Sequence, residues 1–301
     1  MLRSMNDLKG YTIGATDGEI GHVTDFFFDD QRWTIRFLVV ETGSWLLSRK
    51  VLISPFSLLK ADWEHKRLPV RITREEVKNS PDIDTNQPVS RQHEVQYADY
   101  YGYPYYWGSD DLWGNGLYTP VLAPPPGLNA EVLAEVRAEV AGVYARAEQT
   151  LRQNDDPHLR SCQAVLGNHL EASDGDIGHV QGMLVDDDNW TIRYLVADTS
   201  NWWLGHQVLI PPDWVCDIRW ADSRVSVNLT RKSIQDSPRF DASTPLTREQ
   251  EQGLYRHYER PNYWERERAW WRLAVSVTGM KKLPMELNLQ RGNSCSAVTE
   301  T

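Results

Sequence analysis

Two stretches of the chain carry the same ordering of apolar and polar positions. Residues 20–28 and 177–185 are apolar runs rich in β-branched and aromatic side chains, opened by an Asp-Gly pair and closed by Asp29-Asp30 and by Asp186-Asp187-Asp188. A second run, 33–40 and 190–197, follows after a short connection, so each pair predicts a β-hairpin. Strict alternation places Ile35, Phe37 and Val39 on one face and Thr34, Arg36, Leu38 and Val40 on the other. Both faces are partly apolar, as expected of a curled sheet covered by something else. Shorter strands are predicted at 51–53, ended by Pro55, which has no N–H to continue a ladder, and at 68–72 and 225–229. No long amphipathic helix separates these strands, which excludes a βαβ arrangement.

Helical signals follow the strands. Thr73 with Glu76 forms a capping-box pattern before Ser80-Pro81, its counterpart begins at Thr230, and Thr247 with Gln250 opens a further helix carrying Leu254 and Tyr258. Tyr97 and Tyr101 hold the matching places in the first half. Residues 130–151 are alanine-rich, with Val132, Val136, Val140 and Val143 three or four apart, and predict a helix with no earlier copy. The stretch 108–127, with Pro124-Pro125-Pro126, reads as a connector.

A shift of 157 residues superimposes the two patterns without a gap. Asp17-Gly18-Glu19-Ile20-Gly21-His22-Val23 becomes Asp174-Gly175-Asp176-Ile177-Gly178-His179-Val180, and Trp33-Thr34-Ile35-Arg36 becomes Trp190-Thr191-Ile192-Arg193. Such self-similarity indicates one fold unit written twice. The expected organisation is a first module with helical appendix over 1–107, a connector and helix over 108–160, a second module with appendix over 161–275, and a disordered tail over 276–301.

The residues that repeat look like those of PRC-barrel domains, the family of the photosynthetic reaction-centre H subunit's cytoplasmic domain and of the C-terminal part of the ribosome-maturation protein RimM. The resemblance rests on Leu8-Lys9-Gly10 and Leu166-Gly167, on the two Asp-Gly…Gly-His-Val segments, on the acidic hairpins, and on the short strands ending near Pro55 and Pro212. It implies a mainly β fold with appended α-helices, as two small PRC-barrel-like β-barrels related by internal duplication. It also implies an adaptor or assembly role, and carries over no activity.

Composition narrows the partners. The chain has 301 residues, 32 Lys plus Arg against 42 Asp plus Glu, and a net charge of -10. That balance disfavours nucleic acid as the general partner. No stretch is long and apolar enough to cross a bilayer, so the expectation is a cytoplasmic protein without direct membrane insertion. Cys162, Cys216 and Cys295 are odd in number and widely spaced, which suits a reducing compartment and offers neither a disulfide framework nor a thiolate zinc site. A protein partner is expected, with a second copy of the chain among the candidates; no cofactor and no metal are expected.

Candidate site residues are those that repeat. His22 and His179 sit beside the same glycine and titrate in the useful range, with Asp17 and Asp174 as candidates to orient them. The competing account of these two aspartates is turn hydrogen bonding, with Gly18, Gly21, Gly175 and Gly178 as structural turns. Arg36 and Arg193 lie within apolar runs, where a charge needs a partner or a route to solvent. Trp45 and Trp202 are candidates for an anchor surface. The leading reading is a non-catalytic adaptor; the alternatives are a small-ligand or acid–base site at the histidines and a ribosome- or RNA-associated factor.

Overall fold

The computed structural model describes residues 1–81, 89, 91–103, 106, 159–199 and 206–266. The connector at 108–127, the helix at 130–151, the tail from 276, Trp202 and Cys295 lie outside these residues. The first half runs β1 (Leu2–Ser4), α1 (Met5–Leu8), β2 (Thr12–Ala15), β3 (Gly18–Asp29), β4 (Thr34–Thr42), β5 (Lys50–Ile53), β6 (Arg67–Pro69), α2 (Arg74–Lys78) and α3 (Arg91–Tyr101). The second runs β7 (Leu159–Ser161), β8 (His169–Ala172), β9 (Gly175–Asp186), β10 (Ile192–Asp198), β11 (Gln207–Ile210), β12 (Val215–Arg219), β13 (Arg224–Val227), α4 (Arg231–Gln235) and α5 (Arg248–His257). The hairpins β3–β4 and β9–β10 stand where the hydrophobic runs predict them. All three expected helix starts carry full capping boxes, at Thr73, Thr230 and Thr247.

The expected barrels are not formed, and the fold is a mixed strand and helix arrangement built on two open sheets. One sheet has the order β5-β4-β3-β2-β6, and the other β11-β10-β9-β8-β13-β12. Closing the first would need a ladder between β5 and β6. β5 ends where Ser54 caps a 3-10 turn over Pro55–Ser57, and β6 is only three residues long. Strands so short do not supply the staggered register that closure demands.

The two sheets exchange strands. β1, from the start of the chain, pairs antiparallel with β9 through Leu2↔Asp186 and Ser4↔Leu184. β7 pairs with β3 through Leu159↔Asp29 and Ser161↔Phe27. Both donated strands read Leu-Arg-Ser. The hairpin tips also meet: the Ile35 N–H donates to the Trp190 carbonyl at 2.8 Å, the Ile192 N–H donates to the Trp33 carbonyl at 2.7 Å, and Thr34 bridges Thr191. Side chains follow the same reciprocity. Arg3 pairs with Asp187 at 2.6 Å and stacks on Trp63, while Arg160 pairs with Asp30 at 3.5 Å and stacks on Trp220. A single continuous hydrophobic core therefore draws on both halves, from Leu8, Phe28 and Trp33 to Cys162, Val165 and Trp190.

Alternation along β4 is broken by a β-bulge. Phe27 faces Phe37 but Phe28 faces Ile35, leaving Arg36 as the extra residue; Arg193 is the extra residue between Ile192 and Tyr194 in the same way. A bulge shifts the phase of every later side chain. Ile35 accordingly joins Leu38 and Val40 in the main core, while Phe37 and Val39 join Phe27, Leu52, Val89, Tyr97 and Leu159 in a smaller cluster. That smaller cluster seats α3 and the donated β7 on the other face of the sheet. Among the described residues no helix is long and apolar enough to cross a membrane.

Candidate functional site

The open end of β3 gathers several repeated residues. The Asp17 carboxylate accepts the Arg74 backbone N–H at 2.7 Å, which fastens the start of α2 to the turn before β3; Asp174 accepts the Arg231 N–H at the same distance. These carboxylates are thus turn and helix anchors, and among the described residues neither bonds a histidine. Gly18 and Gly175 hold φ of 149° and 130°, angles that side chains resist. A Cβ on Gly21 would overlap the Glu41 carbonyl and stand 2.9 Å from the Thr42 Cα, and one on Gly178 would overlap the Asp198 carbonyl. These glycines let β3 and β9 approach their neighbours.

Trp45 lies on the loop after β4. Its indole N–H donates to the Ile20 carbonyl at 2.7 Å, and the Arg74 guanidinium sits 4.2 Å from its ring centre, a cation–π contact. Two positions on, Leu47 is 94% exposed in a left-handed conformation. Asp17, Gly18, Gly21, Trp45 and the unanticipated Arg74 therefore form one rim. Nothing in the sequence marks Arg74, because the contact that defines it closes between separate turns.

The histidines stand on the sheet surface. His22 is exposed and faces Thr12 and Glu41 across the ladder. His179 faces His169 on β8 and Asp198 on β10, with its Nε2 3.8 Å from the Asp198 carboxylate. A cleft of about 410 Å³ opens between β1, α1, β9 and the segment after α4, lined by Leu2, Tyr11, Leu184, Val196, Phe240 and Leu246 among others. Neither His22 nor His179 lines it. Gly182 borders this cleft where the first half has Asp25, whose carboxylate there accepts from Ser161 and from the Gln163 N–H.

Arg36 and Arg193 belong to a different, buried place. Arg36, 1% exposed, pairs with Asp29 at 3.2 Å and lies 3.6 Å from the Tyr106 ring centre; the Tyr106 hydroxyl donates to buried Glu94. Arg193 pairs with Asp186 at 3.4 Å and lies 4.2 Å from the Tyr263 ring centre. Tyr263 and Tyr194 both donate to Glu251, at 3.2 and 2.8 Å, and Arg248 pairs with Glu251 at 2.9 Å. Burial raises the Glu251 carboxyl, against the pull of Tyr194, Arg248 and Tyr263, and it pushes the Tyr263 phenol up to about 12. The bulge aims each arginine out of the main core, and an aromatic and an acid from the appendix close over it. These clusters clamp appendix to sheet.

Cations of the chain already engage the acidic hairpin tip, where Asp186, Asp187 and Asp188 converge. Cys162 is a buried free thiol whose pKa burial raises.

An open sheet with a long hairpin, a three-residue returning strand and a capped helix describes a small β-rich module. Residues 2–77 match the family model described as PRC-barrel domain, so such a domain, a protein-interaction fold, is present over that stretch. No curated protein matches the chain.

Proposed function

We propose that the chain is a non-catalytic adaptor: two PRC-barrel-type modules, descended from one duplicated unit, fused into a single-chain pseudo-dimer that docks a protein partner. On this reading the modules occupy 1–107 and 161–275, joined by 108–160. Ladder pairs that repeat 157 residues on support the duplication, among them Thr12↔His22 with His169↔His179 and Leu38↔Ile53 with Leu195↔Ile210. The reciprocal donation of β1 and β7 supports the pseudo-dimer. The observation that carries the docking role is Leu47, fully presented to solvent beside a Trp45 pinned by Arg74. Trp and Arg are the residue types enriched at interface hot spots, and here the stacked Trp45 and Arg74 stand beside an aliphatic side chain that nothing in its own half covers.

The test is cross-linked affinity capture from native extract with wild-type chain and with Leu47→Asp and Trp45→Ala. A defined stoichiometric partner retained by wild type and lost with both variants is the expected result. A partner held equally by all three chains would place docking elsewhere, and a strictly monomeric chain that captures nothing overturns the adaptor role.

A further inference from the structure

We propose that the second half carries a surface site for a zinc-class divalent cation, with His169, His179 and Asp198 as ligands. The three residues stand side by side on β8, β9 and β10, paired directly in the ladder as His169↔His179 and His179↔Asp198. Directly opposed residues share one face of a sheet, so all three side chains project together. The surface is accessible: His169 is exposed, His179 is 34% exposed and Asp198 21%.

Backbone hydrogen bonding sets the spacing. The His169 N–H donates away from β9, to the Ser223 carbonyl at 2.8 Å, while the Val180 N–H donates to the Asn168 carbonyl at 2.9 Å. His169 and His179 are therefore a non-hydrogen-bonded antiparallel pair, the kind whose Cα atoms approach to about 4.5 Å. Two imidazoles so placed reach a common ion by rotation about their own side-chain bonds. The third edge is nearly set, because His179 Nε2 lies 3.8 Å from Asp198 Oδ2. Two ligands about 2.0 Å from a tetrahedral ion stand roughly 3.3 Å apart, so this edge needs about half an ångström of closure, while His169, whose ring does not converge with the other two in the structure, has to turn toward them. Arg224, aligned with His169 on β13, is held by Asp176 at 2.9 Å and by Glu171 at 3.9 Å, which offsets its charge.

Two imidazoles and a carboxylate suit Zn²⁺ and leave its fourth position to water. The first half provides an internal control. The corresponding row there is Thr12, His22 and Glu41, with only one imidazole. The inference is independent of the adaptor reading, since it concerns a different face and a different ligand.

Isothermal titration of metal-stripped full-length chain with Zn²⁺ at neutral pH tests it. One equivalent is expected, and His169→Ala and His179→Ala should each weaken binding at least about tenfold, the loss usual when a metal site loses support. Thr12→His should add a second equivalent. Circular dichroism confirms that the variants stay folded. Absence of Zn²⁺ uptake by wild type overturns the proposal, and so does uptake that neither alanine variant weakens, which would assign the ion to the Asp186–Asp188 tip or another histidine.

Discussion

Leu159→Ala tests whether the halves depend on one another through strand exchange. Leu159 is fully buried in the small cluster with Phe27, Phe37, Val39, Leu52, Val89 and Tyr97, all of the first half. Truncation removes three buried carbons, at about 0.8 kcal/mol each, and leaves a cavity, so the expected cost is about 3 to 4 kcal/mol. That is a large part of the roughly 5 to 15 kcal/mol a domain of ordinary stability holds. Its counterpart Leu2 is only partly buried, at the mouth of the cleft, and Leu2→Ala should cost about 1 kcal/mol. Urea unfolding measures both losses. Amide exchange locates them, with protection expected to fall in β3 at Phe27 and Phe28, more than a hundred residues away in the chain. A Leu159→Ala midpoint close to wild type, or lost protection confined to β8–β13, would refute the exchange argument.

Three further outcomes are expected. Gly21→Ala should disrupt β3–β4 pairing and cost more than Gly10→Ala, since Gly10 has open space around its missing side chain and only its φ of 82° to lose, about 1 to 2 kcal/mol; comparative thermal melts decide this. Asp17→Ala removes an acceptor from the start of α2 and should cost about 1 kcal/mol, read as a lowered urea midpoint. Glu251 binds its proton more tightly folded than unfolded, so its charge penalises the fold above its folded pKa, and the penalty is relieved as pH falls through that value. The stability of Glu251→Gln relative to wild type should therefore increase from acidic to neutral pH in urea titrations; a decrease would contradict the burial argument.

What the sequence made legible was local. The hairpins are written in apolar runs bounded by acids, and the capping boxes at Thr73, Thr230 and Thr247 need only residues three apart. The bulges at Arg36 and Arg193 were hidden, because an extra residue leaves the composition of β4 and β10 unchanged while reversing the faces of Ile35 and Phe37. Strand exchange was hidden because Leu-Arg-Ser is too short to read as a strand and its partner lies far along the chain. The closed barrels that the family resemblance implied do not form, because β5 and β6 are too short to meet. The pairing of His169 with His179 has no sequence spacing to announce it, since only the ladder register brings them together. Asp17, Gly18 and Gly175 were legible as turn chemistry, whereas the Arg74 stacking beside Trp45 was not.

Reciprocal strand donation also governs how the chain comes off the ribosome. β3 is synthesised long before Leu159–Ser161, and Leu2–Ser4 has no ladder to join until Asp186 has emerged. Until then the far end of β3 is an uncovered strand edge, the kind of surface that recruits neighbouring nascent chains. Folding must wait for contacts of very long sequence separation, which makes it slow. A premature stop before β7 leaves β1 without its ladder and β3 without its donated strand, so such truncated products should aggregate instead of persisting as a smaller folded module.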